Sequence, residues 1–518
     1  MAPPFPPSEA LPRHASPWLD TSTCPDRPAL DGDREVDVAV VGAGITGVTT
    51  ALLLARAGAS VVVVERHRVG AGSTGRSTAK VSALQGTAYR QVAGKRGREA
   101  AAQYATANRA GVGLVRELSS LGDDGSDLLE LPAVTYAESE RHLGEVEEEV
   151  EAARAAGLDA AFTTDTDLPF PVAGAVRLDR QLAIHPGKYV AGLAGALDQA
   201  GVEIFEHTSA HDVDIEEGGC RLRCDGGTVS AGSVVLATLL PFLDIGLHSA
   251  RTTCNRSYSL LASVEGRAGT TGMYISVDSP TRSIRPHSFD GGTYLLIGGD
   301  GHETGHDEHT EERYAALDDW ARERFQVRDV EYRWSAQDYV SVDQVPIVGP
   351  ISRLRPQIRV ATGMKKWGLS NGTAAAILLA AQLTVEPVPD WAPVYDSTRV
   401  LAHRGPAEYV RHQADVARRF VGDRLSRKPA LDDLPSGSGD IVRVDGRELA
   451  VARDDGDEVH AVSPVCTHLG CLVHWNDGER TWDCPCHGSR FALDGEVLEG
   501  PATEPLEQYD VPWENMSE

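Results

Sequence analysis

The 518-residue sequence predicts an α/β protein that carries a small, mainly β, metal-binding domain near its C-terminal end. Near the N-terminus, an apolar strand, a glycine-rich turn, a helix and a second apolar strand follow one another, as in doubly wound α/β folds. Between residues 466 and 491 the chain holds four cysteines and three histidines. A region with many Pro, Gly and Ser residues separates the two ends, which predicts a domain boundary. The length suits two or three domains rather than one core.

Charge and apolar content limit the classes of partner. The formal net charge is -27 and no run of Lys or Arg occurs. This argues against nucleic acid and anionic membrane as partners, and it favours a basic redox partner. The N-terminus lacks a signal-peptide pattern, and its prolines suggest that residues 1–32 form an extended arm. The most apolar helical run, from Gly372, is too short to span a bilayer. We therefore expect a cytoplasmic protein without membrane insertion.

The sequence DVAVVGAGITGV predicts a phosphate-binding turn. It starts with a buried strand, Val36 to Val41, and continues into a G-x-G-x-x-G motif. In this motif Gly42 permits the tight turn, Gly44 lets the backbone approach a pyrophosphate, and Gly47 lets the next helix pack on the strand. The N-terminus of that helix offers free N–H groups to the phosphates.

The second strand, Ser60 to Val64, ends at an acidic residue, Glu65. Its carboxylate is placed to accept hydrogen bonds from the ribose hydroxyls of an adenosine. No arginine replaces Glu65, which disfavours a 2′-phosphate. The motif therefore predicts a dinucleotide site, but it does not by itself distinguish FAD from NAD.

The next segment, GAGSTGRSTAKVSA, spans Gly70 to Ala83. It resembles the segment that wraps FAD in the glycine/D-amino-acid oxidase superfamily of flavoproteins. The segments SVVLATLLPF and IRVATGMKKWGLSNGTAAAILLA resemble later parts of the same family, in which a glycine-rich turn and a helix N-terminus approach the flavin. The resemblance covers about residues 35 to 385 and implies FAD as the cofactor.

The motif and the resemblance together assign a set of FAD contacts. The residues are Gly42, Gly44, Ile45, Thr46, Gly47, Glu65, Arg66, Gly72, Ser73, Thr74, Arg76, Ser77, Thr78, Ala79, Lys80, Ala237, Thr238, Gly363, Trp367, Gly368 and Leu369.

The resemblance also implies a domain organisation. A Rossmann-type FAD-binding domain would be built from residues 33–88, 177–240 and 331–385. Residues 89–176 and 241–330 would form an inserted α+β substrate domain with a mainly antiparallel sheet over the flavin. Residues 386–433 are predicted as a helix and linker, and residues 434–518 as the C-terminal domain.

Two pairs of metal-ligand residues lie in the C-terminal cluster: Cys466 with His468, and Cys484 with His487. Two thiolates and two imidazoles form the ligand set of a Rieske [2Fe–2S] centre, in which the imidazoles bind one iron. The same residue types also build closed tetrahedral zinc sites, so zinc is the alternative.

The full pattern CTHLGC…CPCHGS resembles the Rieske proteins of respiratory cytochrome complexes, and this favours the iron–sulfur cluster. The resemblance implies a disulfide between Cys471 and Cys486, and a hydrogen bond from Ser489 to a cluster sulfide. It also implies that the segment Gly500 to Leu506 covers the cluster. High-potential members of this family have tyrosine where this chain has Phe491. One fewer donor near the cluster predicts an intermediate reduction potential.

A flavin and a Rieske cluster in one chain predict an electron relay. The oxidase resemblance implies that an amine or amino acid gives a hydride to the flavin, and that the cluster passes single electrons to an external acceptor protein. One alternative is an electron-transfer protein that exchanges electrons with a partner enzyme. Another is an oxidase that reduces O₂.

The catalytic residues are less well defined by the sequence. A substrate carboxylate calls for an arginine, and SPTRSIRPHS offers Arg282 and Arg285 beside His287. A structural position on a strand surface is an equally good explanation for each arginine. Lys365 and Lys366 precede the helix expected to face the flavin, so one of them could stabilise the charge of the reduced ring or activate oxygen.

Overall fold

The computed structural model describes residues 12–122, 125–265, 270–289, 292–399 and 434–511. The first part of the predicted N-terminal arm and the predicted helix near residues 407–424 lie outside these ranges. Within them, the α-helices are α1 (Pro17–Asp20), α2 (Ile45–Arg56), α3 (Ala88–Arg96), α4 (Arg98–Leu118), α5 (Leu143–Ala155), α6 (Pro186–Gln199), α7 (Thr310–Arg324), α8 (Gly368–Leu383) and α9 (Ala392–Tyr395).

The strands form four sheets. In chain order they are β1 (Arg34–Val41), β2 (Val61–Val64), β3 (Lys80–Val81), β4 (Leu129–Ala137), β5 (Ala161–Thr163), β6 (Gly174–Ala183), β7 (Glu203–Phe205), β8 (Ala210–Glu216), β9 (Gly219–Cys224), β10 (Gly227–Leu236), β11 (Thr252–Val264), β12 (Met273–Ser276), β13 (Arg282–Phe289), β14 (Gly292–Glu303), β15 (Val327–Ser341), β16 (Ile347–Ser352), β17 (Arg355–Thr362), β18 (Gly439–Val444), β19 (Arg447–Arg453), β20 (Val459–Val462), β21 (His474–Asn476), β22 (Thr481–Asp483), β23 (Arg490–Phe491) and β24 (Val497–Glu499).

The first sheet is the nucleotide-binding core, with the order β16-β17-β10-β1-β2-β7 and with β8 and β9 beside β10. Strands β17, β10, β1, β2 and β7 run parallel. All four valines of β2 are buried, as expected for a parallel strand covered on both faces. Helix α2 follows β1 directly and packs against α8. The carboxyl ends of β1 and β2 therefore open onto the N-terminus of α2, where a dinucleotide binds in such folds.

The second sheet has the order β15-β11-β14-β13-β12-β4-β6-β3, with β5 beside β6. Among its described pairings only that of β12 with β4 is parallel. Strands β3, β6 and β15 lie wholly or partly in segments predicted for FAD binding, and yet they pair in this sheet. The chain therefore crosses between the two sheets in the connections before β3, after β6 and after β15.

Residues 12–32 do not form only an extended surface arm, which corrects that prediction for the described part. They include α1, and the side chain of Trp18 is fully buried. Its indole Nε1 donates to the carbonyl oxygen of Ser77 at 2.8 Å, and the hydroxyl of Ser16 donates to that of Gly75 at 2.6 Å. Burial of this large apolar ring stabilises the folded state, so Trp18 anchors the segment on the FAD-binding part.

The C-terminal domain is all-β in its described residues. Strands β18, β19 and β20 form one antiparallel sheet, and β21 to β24 form another. The ring centroids of Trp475 and Trp482 lie 5.0 Å apart, and the fully buried Phe491 belongs to the same hydrophobic core. The architecture confirms the predicted α/β fold with an all-β domain at the C-terminal end.

None of the helices within the described ranges is both long and apolar enough to cross a lipid bilayer.

Candidate functional site

A cavity of about 920 Å³ lies between the first and second sheets. Its size is in the range of cofactor and ligand sites. Most residues assigned to FAD from the sequence line it: Gly42, Gly44, Ile45, Thr46, Glu65, Arg66, Gly72, Ser73, Thr74, Arg76, Ser77, Thr78, Ala79, Lys80, Ala237, Thr238, Trp367, Gly368 and Leu369.

Gly47 and Gly363 are not among the residues at the cavity surface. A Cβ atom on Gly47 would lie 1.8 Å from the carbonyl oxygen of Gly42, so only glycine permits α2 to pack this close to the turn. Gly42 itself has φ +99°, in the region that favours glycine. These two positions show the turn and close-packing requirements that the motif predicts.

The groups around the turn fit a dinucleotide. Helices α2 and α8 both begin at the cavity, and neither N-cap residue, Gly44 or Trp367, forms a side-chain capping hydrogen bond. In α2 the N–H of Ile45 donates to Thr74 Oγ1 at 3.0 Å. The other N–H groups and the dipoles of both helices can therefore receive negative charge from a ligand. The carboxylate of Glu65 accepts from the backbone N–H groups of Ala43 at 2.7 Å and His67 at 2.9 Å. These bonds fix the carboxylate at the end of β2, at the predicted ribose position.

Lys365 and Lys366 both line the cavity and both have positive φ angles, of 56° and 63°. The ammonium of Lys365 donates to Gln91 Oε1 at 2.7 Å, and burial lowers its pKa to about 8. The ammonium of Lys366 donates to Ser257 Oγ at 2.8 Å, and burial lowers its pKa too. The backbone N–H of Lys366 donates to the carboxylate of Asp338, whose pKa burial raises to about 6. This end of the cavity thus combines two cations with an acid.

Arg285 and His287, predicted as substrate-binding or catalytic residues, do not line this cavity. The indole of Trp18 covers both: the Arg285 guanidinium lies 5.4 Å from its ring centroid and the His287 ring 4.9 Å. Burial lowers the pKa of Arg285 to about 10 and that of His287 to about 3. Arg282 forms an ion pair with Asp300 at 2.8 Å. The N-terminal segment therefore occupies the space on this face of β13, which the strand sequence alone did not indicate.

Lys80 is the buried cation that does reach the cavity from this side. Its ammonium donates to the carbonyl oxygen of Tyr274 at 3.2 Å and to the hydroxyl of Ser283. Burial, with a smaller contribution from the neighbouring Arg285, lowers its pKa to about 7.

The four predicted cluster ligands come together in two loops of the C-terminal domain. The side chains of Cys466 and Cys484 are hydrogen-bonded to each other, which lowers the pKa of Cys466 and raises that of Cys484, so the two sulfurs are close enough to share one proton. The ring centroids of His468 and His487 are 5.1 Å apart and the rings are nearly perpendicular. The buried Nδ1 atom of His468 has no hydrogen-bond partner among the described residues, as expected of an atom that binds a metal. This donor set fits a [2Fe–2S] cluster.

The side chains around the ligands include the predicted disulfide, a serine and a phenylalanine. Cys471 and Cys486 form a disulfide, and their sulfurs lie within 4.8 Å of the Cys484 sulfur. Ser489 is fully buried, and its Oγ accepts a hydrogen bond from the backbone N–H of Ala502 at 3.0 Å. Phe491 is buried in the same core and offers no hydroxyl.

A family model described as FAD dependent oxidoreductase, DAO, matches residues 37–382 of this chain. The chain belongs to the DAO family of FAD-dependent oxidoreductases. A second family model, the Rieske [2Fe-2S] domain, matches residues 428–510. This DAO-family chain thus binds FAD and carries a Rieske [2Fe–2S] cluster. The alternative of a zinc ion at the C-terminal site is rejected.

Among similar proteins, the chain is 33% identical to YhfW of Bacillus subtilis (strain 168), named as a Rieske 2Fe-2S iron-sulfur protein, over 95% of this chain and 97% of that one. It is 39% identical to the cytochrome b6-f complex iron-sulfur subunit of Chlorobaculum tepidum, over 20% of this chain and 56% of the subunit.

Solved structures show the same fold at low identity. Glycine oxidase from Geobacillus kaustophilus superposes with a TM-score of 0.59 at 19% identity, over 71% of this chain and 100% of that chain. L-proline dehydrogenase from P. horikoshii superposes with a TM-score of 0.56 at 18% identity, over 72% and 98%.

Strand β15 of the DAO-family part connects the cavity with the cluster loop. Gln337 lines the cavity, and its Nε2 donates to the carbonyl oxygen of Gly488 at 2.7 Å. Two residues along, the hydroxyl of Tyr339 donates to the carbonyl oxygen of His487, also at 2.7 Å. A Cβ atom on Gly488 would lie 2.3 Å from Cys254 Sγ, so the loop approaches β11 as closely as glycine permits.

Buried charges also hold the Rieske domain on the DAO-family part. Arg490 donates to Asp483 at 2.9 Å and to Glu499 at 3.2 Å, and Arg256 donates to Glu499 at 3.3 Å. Removal of one partner would leave a buried charge unpaired, which is costly, so this network specifies one docked arrangement. Asp477 adds a contact at the N-terminus of α7, where its Oδ1 accepts from the N–H of Thr310 at 2.7 Å.

The structure also brings residues to the cavity that sequence reasoning did not assign to it. They include Ser257, Gln337 and Asp338 from the second sheet, and Leu498 to Pro501 from the Rieske domain. Of the last segment, only Gly500 and Pro501 belonged to a prediction, in which Gly500 to Leu506 covers the cluster. No local pattern could have placed the segment at the cavity, because it is more than 400 residues from the glycine-rich turn.

Proposed function

We propose that this protein oxidises an amine or amino acid at a C–N bond and passes the electrons within one chain from FAD to the Rieske cluster. From the cluster they go to an external one-electron acceptor protein. The observation that carries the proposal is strand β15, which lines the FAD cavity through Gln337 and holds the cluster loop through Gln337 and Tyr339.

When bound, FAD supplies a hydride acceptor and the cluster supplies a one-electron carrier. The chain's own residues would orient the substrate and stabilise charge. The N-terminus of α8 and the ammonium of Lys365 face the cavity, where they would favour negative charge on the ring system. Because burial lowers the pKa of Lys365 to about 8, its charge is present at neutral pH and is lost as the pH rises above 8.

The charges of the cavity support a substrate that is both cationic and anionic. An amine could bind near Asp338 and Glu303, and a carboxylate could bind Lys80 or Lys366. Such groups would hold the carbon that bears the amine in one orientation. Two proteins of the same fold, glycine oxidase and L-proline dehydrogenase, are named after amino acids, which agrees with an amino-acid substrate.

The two histidine ligands differ in exposure, which supports an inner and an outer side of the cluster. His487 is 9% exposed because the second sheet covers it, whereas His468 is partly exposed. Electrons would arrive on the His487 side and leave on the His468 side. Asp244 lies near His468 and the whole chain is acidic, so a basic acceptor would be attracted.

An anaerobic titration with a panel of amines and amino acids tests this function. Flavin absorbance and the EPR signal of the reduced cluster are followed together. The proposal predicts that at least one compound bleaches the flavin and that the cluster signal then grows. If no compound reduces the flavin while dithionite reduces both centres, the electron-transfer alternative is favoured. Peroxide formed in step with turnover in air would favour the oxidase.

A further inference from the structure

The segment Leu498–Ala502 of the Rieske domain belongs to the wall of the FAD cavity. Leu498, Glu499, Gly500 and Pro501 line the cavity together with Glu65 and Arg66. The guanidinium of Arg66 donates from Nη2 to the carbonyl oxygen of Ala502 at 3.1 Å, and the His67 Nε2 lies 3.0 Å from that of Leu498. The segment thus lies over the end of β2, where the carboxylate expected to bind the ribose is located.

The same segment is also attached to the cluster loop. The backbone N–H of Ala502 donates to the hydroxyl oxygen of Ser489 at 3.0 Å. Ser489 is fully buried and lies two residues after His487, in the loop that supplies two of the four cluster ligands. Glu499, at the other end of the segment, is bonded to Arg490 of the same loop and to Arg256 of the second sheet.

Leu498–Ala502 is therefore one short peptide with contacts to both cofactor sites. The Arg66 and His67 contacts hold it from the FAD side, and the Ser489 contact holds it from the cluster side. The metal bonds of Cys466, His468, Cys484 and His487 fix the two ligand loops, because an assembled cluster constrains all four residues at once.

We propose that Leu498–Ala502 is a binding element for the adenosine end of FAD, and that the assembled iron–sulfur cluster strengthens its hold from the Rieske side. Without the cluster, the two ligand loops remain linked by the Cys471–Cys486 disulfide but lose the metal bonds, so the segment becomes more mobile. This wall of the FAD site is then less firmly held, and FAD leaves faster. Because coupling between two bound ligands is reciprocal, loss of FAD equally weakens retention of the cluster.

The first test measures the rate of FAD release after dilution, from the recovery of flavin fluorescence. It compares the full chain with the cluster, the cluster-free Cys484→Ser variant, and Ser489→Ala, which retains all four ligands. We expect release about tenfold faster from Cys484→Ser and about threefold faster from Ser489→Ala. The control is Arg480→Ala, which removes an exposed ion pair with Asp455 elsewhere in the Rieske domain and should release FAD at the unaltered rate.

The reciprocal test needs no substitution and so does not depend on folding of the variants. Iron loss to a chelator is followed in the unaltered chain with and without FAD, and it should be several-fold faster without FAD. Equal FAD release from all four proteins, or equal iron loss in the two states, would overturn the proposal. Neither assay uses a substrate, so the result does not depend on the proposed reaction.

Discussion

The hydroxyl of Tyr339 donates a 2.7 Å hydrogen bond to the backbone carbonyl oxygen of His487, a predicted ligand of the cluster. Tyr339 belongs to β15, whose neighbouring residues Gln337, Asp338 and Val340 line the FAD cavity. The two redox sites therefore share a single strand as their boundary. The proposed transfer of electrons from FAD to the cluster requires such a short connection.

Substitution Tyr339→Phe should slow electron transfer from flavin to cluster without altering flavin reduction. The variant loses one docking bond at the cluster loop, and a neutral hydrogen bond contributes about 1 kcal/mol. We expect cluster reduction about three- to fivefold slower in anaerobic stopped-flow measurements. Tyr509→Phe is the matched control, since its hydroxyl bonds Glu507 at the surface. Equal rates in both variants and the unaltered protein would show that this contact has no such role.

Substitution Glu65→Gln should weaken FAD binding about tenfold. The amide keeps the volume and one acceptor, but it loses the charge that strengthens hydrogen bonds from ribose hydroxyls, a loss of about 1.4 kcal/mol. Equilibrium dialysis or flavin fluorescence gives the dissociation constant. Glu35→Gln, at an exposed position of β1, is the control and should bind FAD normally. A normal dissociation constant for Glu65→Gln would remove the ribose assignment.

Lys80 makes stability depend on pH in the FAD-free protein. Burial lowers its pKa to about 7 in the folded state, whereas in the unfolded chain it is about 10.4. Between these values the unfolded state binds one more proton, so the stability contribution rises with increasing pH. From pH 7 to pH 9 the gain should be about 2 kcal/mol.

The measurement is the difference in thermal midpoint between the unaltered chain and Lys80→Met at pH 7 and pH 9. As the pH rises, the thermal midpoint of the unaltered chain should increase relative to that of Lys80→Met. Lys188→Met, which removes a surface ion pair with Asp127, is the control and should follow the unaltered chain. A difference between the chain and Lys80→Met that does not change with pH would contradict the buried state of Lys80.

Substitution Phe491→Tyr should raise the reduction potential of the cluster. A hydroxyl near the cysteine ligands would donate a hydrogen bond, which stabilises the more negative reduced cluster. An EPR-monitored redox titration measures the midpoint potential. Phe162→Tyr, at a position 41% exposed in β5, is the control. A potential of Phe491→Tyr at or below that of the unaltered protein would contradict the expected effect.

The sequence predicted both ends of this protein well because their chemistry is local. The turn at Gly42 and Gly47 and the ligand pairs of the Rieske domain are short motifs whose spacing reflects a physical requirement. The disulfide of Cys471 and Cys486 was implied by the same resemblance and is present.

What the sequence could not predict depends on contacts between distant segments. Arg285 looked like a cavity residue, but Trp18, more than 250 positions earlier, covers it. Likewise, the position of Pro501 at the FAD cavity depends on docking of the Rieske domain through Glu499 and Arg256. Local periodicity and motif spacing contain no information on such contacts.

The proposed function depends on the passage of electrons from FAD to the cluster inside one chain. The most direct measurement is anaerobic single-turnover kinetics: the flavin is reduced by substrate or by a light-generated reductant, and the cluster is followed by absorbance and freeze-quench EPR. If the electrons pass within the chain, the cluster signal should appear as flavin absorbance recovers, at a first-order rate independent of protein concentration. A rate proportional to protein concentration, or a reduced flavin that persists beside an oxidised cluster of higher potential, would contradict it.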